Sequence, residues 1–341
     1  MATFTVTPDE VEQFERCPRR WAFGTKVGYG LGFYKEPHHP YEVLRRAMRA
    51  FIFYSSPDQT SFNAYGEARK ILVDSLRDGD EDWNREIGIG LGVLQHFADF
   101  YPLPGWNIWK PGAFPDTPCD FISDRLIPNS ITEWRGDFDA IAESDTDPNQ
   151  VYLVRFVITT QHMPTQAWRW ERFDPKMAFT LALAHEDNVA GVLFIYVRFK
   201  APCVPETLKS GGLTRRANLD TTTAVYLRTL REQGLNPADY TSTLARLEEQ
   251  GNKFFGTATW IPTKGLIETT RRRMREVAQS MWNGKQWVSH CNPYDPAWCA
   301  TCPFTAACRV AQEGGTTEAI ERELTMSSGA RNDTAVFDWS L

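Results

Sequence analysis

The sequence predicts an α/β protein in which a central mixed sheet is flanked by helices. Segment 130–143 alternates between apolar and polar residues, and segments 151–160 and 188–199 are rich in β-branched and aromatic residues. The intervening segment 175–186 has a helical composition. The order strand, strand, helix, strand suits a sheet in which a crossover helix joins two parallel strands.

Composition narrows the class of protein. The 341 residues are 42% hydrophobic and 23% charged, which is enough to bury a sizeable core. No apolar run approaches the roughly 20 residues that cross a bilayer, and the first residues lack the pattern of a signal peptide. We therefore expect a cytoplasmic protein with no membrane partner. The formal net charge of −6 means that any DNA contact must come from local basic patches.

Helices and one more strand are predicted around the central segment. Thr7-Pro8-Asp9-Glu10 combines an N-cap threonine, a proline at the first helical position and a capping-box glutamate, and Pro18 ends this short helix. Helices follow at 38–54 and 85–101, then one near Asp220–Thr223, a strand at 257–263 and a basic helix at 266–282. The predicted regions are a helical part (1–119), the α/β core (120–200), an insert with the basic helix (201–290), a cysteine cluster (291–311) and a disordered tail (312–341).

Three cysteines lie close together near the end of the chain. Cys299, Cys302 and Cys308 have the spacing C-x2-C-x5-C, and in a reducing compartment such a cluster more often binds metal than forms disulfides. A tetrahedral thiolate site needs a fourth sulfur, and Cys17 at the end of the first helix is the candidate. Cys291 is the alternative ligand, and zinc would use the same residues as an iron–sulfur cluster.

The pairing of an early cysteine in FERCPRRWAF with the late C-x2-C-x5-C resembles the iron–sulfur members of the PD-(D/E)XK nuclease superfamily. This RecB-like group includes AddB-type helicase-nuclease subunits and CRISPR-associated exonucleases, and segments 208–227 and 252–261 are similar to phage-type relatives. The resemblance implies a restriction-endonuclease-like core and a 4Fe–4S cluster that staples the C-terminal segment to the N-terminal helix. It also implies a phage-encoded protein in the host cytoplasm.

The catalytic motif of that family is incomplete here. Active relatives place an acid in a G-x-x-D strand and a D/E-x-K motif on the next strand, where two carboxylates hold a divalent metal. Gly136 and Asp139 match the first motif, with Asp137 beside them, but Arg155 and Val157 stand where the second acid and the lysine are expected. We therefore expect an ion pair between Asp139 and Arg155 in place of the metal, and loss of catalysis.

Two further motifs also depart from the family pattern. Lys176 and Thr180 occupy the places of Q-x-x-x-Y, and Arg45 lies near the position of a frequent histidine. The alternative interpretation is an active exonuclease that uses Mg²⁺ or Mn²⁺ with Asp137 and Asp139. Its catalytic lysine would have migrated to Lys176, in the sequence Asp174-Pro175-Lys176.

Arginine clusters are the candidate contacts for DNA, as single strands or ends. Arg45, Arg155, Arg215, Arg216, Arg271, Arg272 and Arg273 are the predicted DNA-binding residues, and Arg16, Arg19, Arg20, Arg46, Arg49 and Arg275 lie in the same clusters. Charge runs are more often solvated helix faces. The competing function is a scaffold that binds replication, recombination or phage assembly proteins.

Overall fold

A computed structural model provides the architecture. It describes residues 4–24, 39–56, 63–111, 119–123, 132–160, 175–184, 189–282, 299, 302, 304–316, 318–320 and 322–323. Cys291, Asp174 and the part of the predicted tail after Glu323 lie outside the described residues.

The described chain alternates between helical and extended segments. The helices are α1 (Pro8–Arg16), α2 (Pro18–Gly24), α3 (Pro40–Tyr54), α4 (Ala64–Val73), α5 (Glu81–Phe100), α6 (Pro175–Ala184), α7 (Thr223–Glu232), α8 (Thr241–Gln250), α9 (Lys264–Trp282) and α10 (Thr305–Gln312). The strands are β1 (Phe4–Val6), β2 (Trp106–Trp109), β3 (Cys119–Ser123), β4 (Thr132–Phe138), β5 (Ala140–Ser144), β6 (Asp147–Thr159), β7 (Val189–Arg198) and β8 (Phe255–Trp260).

The strands form two sheets, of five and three strands. The larger sheet has the order β2-β5-β6-β7-β8, with β6 and β7 parallel and its other pairs antiparallel. In the smaller sheet, β4 pairs in parallel with β1 and antiparallel with β3. The predicted mixed sheet is therefore confirmed, including the crossover through α6 between two parallel strands. The larger sheet also takes β2 and β8 from outside residues 120–200.

Helices cover both faces of the larger sheet because its central strands β6 and β7 carry apolar residues on both faces. On one face Val154, Phe156 and Ile195 pack into a core with α3, α4 and α5. On the other face Leu153 and Phe194 pack with α6 and α9. A third core, around two fully buried tryptophans in α2 and β4, joins the N-terminal helices to α6 and α9. The α/β architecture with flanking helices follows from these three cores.

The predicted start of the first helix is confirmed in atomic detail. The backbone N–H of Glu10 donates to Thr7 Oγ1 at 3.2 Å, and the Thr7 N–H donates to Glu10 Oε2 at 2.8 Å, which completes the capping box. Cys17 is the C-cap residue of α1 and is buried. The helix predicted near Asp220–Thr223 begins at Thr223, and Thr222 caps it.

None of the helices in the described ranges combines the length and the apolar character that a bilayer crossing requires.

Ordered packing extends past the predicted start of the tail. Ile320 is 5% exposed and packs in an apolar cluster with Phe23, Phe304 and Ala307.

Helix α6 approaches strand β4 closely at Gly136. A Cβ atom built on this glycine would lie 2.8 Å from Thr180 Oγ1 and 2.9 Å from Thr180 Cα. Because Gly136 has no side chain and Thr180 is small and buried, α6 packs directly on β4, the strand that leads to Asp139.

We expect Gly136→Ala to lower the free energy of unfolding by about 1–3 kcal/mol, because the added methyl group must displace the helix backbone. Urea unfolding followed by circular dichroism measures the change. Gly88→Ala in α5 is the control, since no atom beyond its neighbours and the helix's own backbone lies within 4 Å of an added methyl group, and alanine favours the helix. Equal stability of the two variants would contradict the close approach of α6.

Candidate functional site

Asp139 occupies the point where the chain passes from the smaller sheet to the larger one. It is the single residue between β4 and β5, and its backbone N–H donates to the Val154 carbonyl at 2.8 Å. Its side chain is fully buried, at 0% exposure. A carboxylate buried to this extent requires partners for both oxygens.

Two arginines of α3 and one backbone amide provide those partners. Arg49 Nε donates to Asp139 Oδ1 at 2.6 Å, and Arg45 Nε lies 3.1 Å from both carboxylate oxygens. The backbone N–H of Phe156 in β6 donates to Oδ2 at 2.8 Å. Both oxygens of Asp139 are therefore engaged by protein donors.

Glu42 precedes Arg45 by one turn of α3 and Arg49 by two turns, and it contacts both arginines. Glu42 Oε1 lies 3.3 Å from Arg49 Nη1, and Glu42 Oε2 lies 3.5 Å from Arg45 Nη1. The spacing of 42, 45 and 49 puts all three side chains on one face of the helix. We did not predict the contact of Arg49 with Asp139 or the contacts of Glu42 with the arginines, although the spacing of these residues is visible in the sequence.

The arginines keep the buried carboxyl group ionised. Burial by itself would raise the pKa of Asp139, but the charges of Arg45 and Arg49 outweigh it. Arg155 and the Phe156 N–H lower this pKa further, so that it lies well below its usual range. Burial likewise would lower the pKa of Arg49, whereas its carboxylate partners raise it. At neutral pH Asp139 is therefore ionised and forms ion pairs with both Arg45 and Arg49.

Arg155 of β6 donates a hydrogen bond to Asp137 of β4 rather than to Asp139. Arg155 Nη1 donates to Asp137 Oδ2 at 3.0 Å, and the Arg155 side chain is 13% exposed. Its charge still lowers the pKa of Asp139. The expected pairing of Asp139 with Arg155 therefore needs correction, because Arg45 and Arg49 hold Asp139 and Arg155 bonds to Asp137.

Lys176 lies at the start of α6, with its ammonium group towards α1. Lys176 Nζ is 3.5 Å from Glu12 Oε2, and Thr180 Oγ1 donates to the Lys176 carbonyl at 3.0 Å. This ion pair directs the lysine to a glutamate of α1. A catalytic role for Lys176 would require it to leave Glu12.

The cysteine segment contacts the N-terminal helices. Arg19 Nη1 in α2 lies 3.2 Å from Cys308 Sγ and 3.3 Å from the Cys308 carbonyl oxygen. The rings of Phe23 and Phe304 meet edge to face at 6.0 Å between centroids. Cys299 and Cys302 lie in one turn, since the Cys302 N–H donates to the Cys299 carbonyl at 3.2 Å.

In the part of the chain that the structure describes, no three histidine, cysteine or acidic side chains are arranged to hold a metal ion. The four predicted ligands, Cys17, Cys299, Cys302 and Cys308, are all described thiols, and the structure does not group them as a metal site. The iron–sulfur cluster therefore stays a prediction.

Several of the predicted DNA-binding arginines have structural roles. Arg271 Nε donates to the Ala182 carbonyl at 3.0 Å, which ties α9 to α6. Arg273 forms a bidentate ion pair with Glu15 of α1. Arg272 is exposed on the same helix.

The insert presents two exposed arginines on an ordered loop. The Arg215 guanidinium lies over the Tyr240 ring, 4.4 Å from its centroid, and Arg216 is exposed beside it. Arg246 Nη2 donates to the carbonyl oxygens of both residues at 3.1 Å. Tyr226 Oη also donates to the Thr214 carbonyl, at 3.0 Å. Hydrogen bonds from Arg246 and Tyr226 therefore hold the backbone that carries Arg215 and Arg216.

The sequence matches no protein-family model, and no curated protein matches it significantly.

We expect Asp139→Asn to lower the free energy of unfolding by about 3–5 kcal/mol at pH 7, because it removes the buried carboxylate that pairs with Arg45 and Arg49, and their other carboxylate partner, Glu42, is 42% exposed. Asp137→Asn is the matched control and should cost less than about 1 kcal/mol, since Asp137 is 38% exposed.

Urea unfolding at several pH values measures both variants. The folded-state pKa of Asp139 lies below the unfolded-state value of 3.8, so its stabilisation is present at neutral pH and disappears as the pH falls below 3.8. Similar, small losses for the two variants at pH 7 would show that the arginines do not depend on Asp139.

Proposed function

We propose that the chain is a catalytically inactive, nuclease-like iron–sulfur protein that binds DNA as single strands or ends. The observation that carries the first part is the engagement of both Asp139 oxygens by Arg45, Arg49 and the Phe156 amide. A phage-encoded protein that acts beside replication or recombination proteins suits the resemblance described above.

Metal-dependent hydrolysis of a phosphodiester needs a divalent ion that polarises the phosphate and activates water. Binding Mg²⁺ or Mn²⁺ at Asp139 would require displacement of two arginine charges from a buried carboxylate, and the cations would repel the ion. Changing only Arg155 and Val157 back to an acid and a lysine would leave Arg45 and Arg49 in place. We therefore expect that this double reversion alone restores neither metal binding nor cleavage.

A cluster bound by Cys17, Cys299, Cys302 and Cys308 would have a structural role. Metal-binding free energy becomes folding free energy when the ligands come from distant segments. The packing of Phe23 against Phe304 supports this arrangement, because it already places the two segments side by side. When bound, the cluster would supply four metal–thiolate links across this contact.

The loop with Arg215 and Arg216 is the best supported DNA contact. Exposed guanidinium groups on a fixed backbone can engage phosphates with little loss of conformational entropy. By contrast, Arg45 and Arg155 pair with internal carboxylates, and Arg271 and Arg273 join helices. The DNA surface that we propose therefore includes Arg215, Arg216 and the exposed Arg272.

We expect no metal-dependent cleavage of linear single- or double-stranded DNA by the wild-type protein in Mg²⁺ or Mn²⁺. Gel assays over a range of enzyme concentrations check this expectation. Asp137→Asn and Lys176→Ala identify contaminating nucleases, whose activity would be the same in all preparations. Strong wild-type cleavage that both substitutions abolish would establish an active nuclease with a migrated lysine.

We expect protein purified without oxygen to contain roughly four iron atoms per chain. Serine substitution of Cys17, Cys299, Cys302 or Cys308 should lower both the iron content and the melting temperature, because each removes a ligand. Cys203→Ser is the control, since Cys203 is exposed. Iron-free wild-type protein of full stability would contradict the cluster, and loss of iron in Cys291→Ser but not in Cys17→Ser would reassign the fourth ligand.

We expect the double substitution Arg215→Gln/Arg216→Gln to weaken binding of single-stranded DNA and to reduce its salt dependence. Two lost phosphate contacts should lower the slope of log K against log salt by about 1.4 for single strands. Arg69→Gln/Arg85→Gln removes the same charge from exposed positions of α4 and α5 and should bind like wild type. No measurable wild-type binding at low salt would favour the protein scaffold.

A further inference from the structure

The loop between β7 and α7 contains a short hairpin, which we call the insert hairpin (residues 206–214). Thr207 and Leu213 form an antiparallel bridge, and the Thr214 N–H donates to the Glu206 carbonyl at 2.9 Å. Backbone pairing of this kind fixes the two arms of a loop relative to each other. The insert hairpin is therefore a defined element of the loop, separate from the strands of the two sheets.

The second arm of the insert hairpin is anchored on the region around α7. Leu213 is buried in an apolar cluster with Tyr226 and Tyr240. The Leu213 N–H donates to Tyr240 Oη at 3.0 Å, and Tyr226 Oη donates to the Thr214 carbonyl at 3.0 Å. A buried side chain and two tyrosine hydroxyls thus hold the base of the hairpin.

The turn of the insert hairpin presents an exposed leucine. The Leu208 N–H donates to the Gly212 carbonyl at 2.6 Å, and the Gly211 N–H donates to the Leu208 carbonyl at 2.9 Å. Gly211 has a φ of +82°, which residues with a side chain rarely adopt. Leu208 is 45% exposed. Its apolar surface is therefore held in water on a fixed backbone, where a ligand that covers it gains free energy.

Basic residues lie on both sides of the second arm. Lys209 follows Leu208 directly, Arg215 and Arg216 follow the hairpin, and all three basic side chains are exposed. Within residues 206–216 the acidic residue is Glu206. The charge of this loop is therefore positive, whereas the formal net charge of the whole chain is −6.

The end of a DNA duplex has the chemistry that complements this loop. Its phosphates are anions, and the outer face of its terminal base pair is an apolar surface that no further base pair covers. Leucine is among the side chains that proteins insert against unstacked bases. An acidic protein surface would pair with the cations, but it need not supply an apolar face beside them.

We propose that Leu208 packs on the exposed face of the terminal base pair of a DNA duplex, while Arg215 and Arg216 bind phosphates of the single-stranded extension beside it. This inference rests on the proposed DNA binding and narrows it to one class of substrate, a duplex end with a single-stranded extension. A terminal base pair is larger and more rigid than an unpaired base, so covering it costs less conformational entropy. Leu208 therefore makes the loop bind such ends more tightly than single strands alone.

The test measures binding of two labelled DNAs, a single strand and a duplex whose extension has the same sequence as that strand. Fluorescence anisotropy at low salt gives the dissociation constants. Leu208→Ser removes the apolar surface, and Leu208→Met keeps it. Leu76→Ser is the matched control, because Leu76 is 47% exposed and lies just after α4.

We expect the wild-type protein to prefer the duplex with the extension. Leu208→Ser should weaken binding of this duplex by roughly 3–10-fold, because the exposed part of the leucine is no longer there to be covered. Its affinity for the single strand should equal that of wild type. Leu208→Met should keep the preference, since methionine conserves the apolar volume, and Leu76→Ser should match wild type for both DNAs.

The failures of the two proposals give different results. Equal binding of both DNAs by the wild-type protein, or a Leu208→Ser variant that weakens both equally or neither, would overturn the role of Leu208 and leave DNA binding intact. Absence of binding to both DNAs at low salt would overturn both proposals and favour an acidic protein partner for this loop.

A second measurement decides the case if Leu208→Ser does not fold. The fluorescent base 2-aminopurine is placed either in the terminal base pair or in a pair inside the duplex, and wild-type protein is added. A larger fluorescence change at the terminal pair supports the contact with Leu208, and equal changes at the two places overturn it.

Discussion

The ion pairs of Asp139 with Arg45 and Arg49 are the constraint on which the centre of the molecule depends. Asp139 is the link between the two sheets, and the arginines belong to the helix that covers the larger one. A buried carboxylate between strands is tolerated only with close partners, so the position of α3 and the bend of the chain stabilise each other.

The same interaction also determines how the buried charge of Asp139 is balanced. In a metal-dependent hydrolase, carboxylates are left available for an ion and become costly to bury without it. Here the protein provides its own cations, and the requirement for an external one disappears. Burial of Asp139 therefore needs no divalent metal at this place, because Arg45 and Arg49 balance its charge.

The sequence predicts the features that arise from neighbouring residues. The capping box at Thr7 is local chemistry, and the parallel pairing of β6 and β7 follows from two apolar runs around a helix. The partners of Asp139 could not be predicted in the same way, because they are 90 and 94 positions away and their choice depends on how α3 rests on the sheet. Strand β1 has only three residues and no periodicity to recognise, and its pairing with β4 is visible only in three dimensions.

The contact of Arg19 with Cys308 has a consequence for how the protein is made. Helix α2 leaves the ribosome long before α10, so a basic side chain and an aromatic ring destined for burial remain in water until almost all of the described chain is synthesised. A product that stops early would keep Phe23 uncovered, and uncovered apolar surface is what chaperones and proteases act on. Phe23 is therefore covered only when nearly all of the described chain is present.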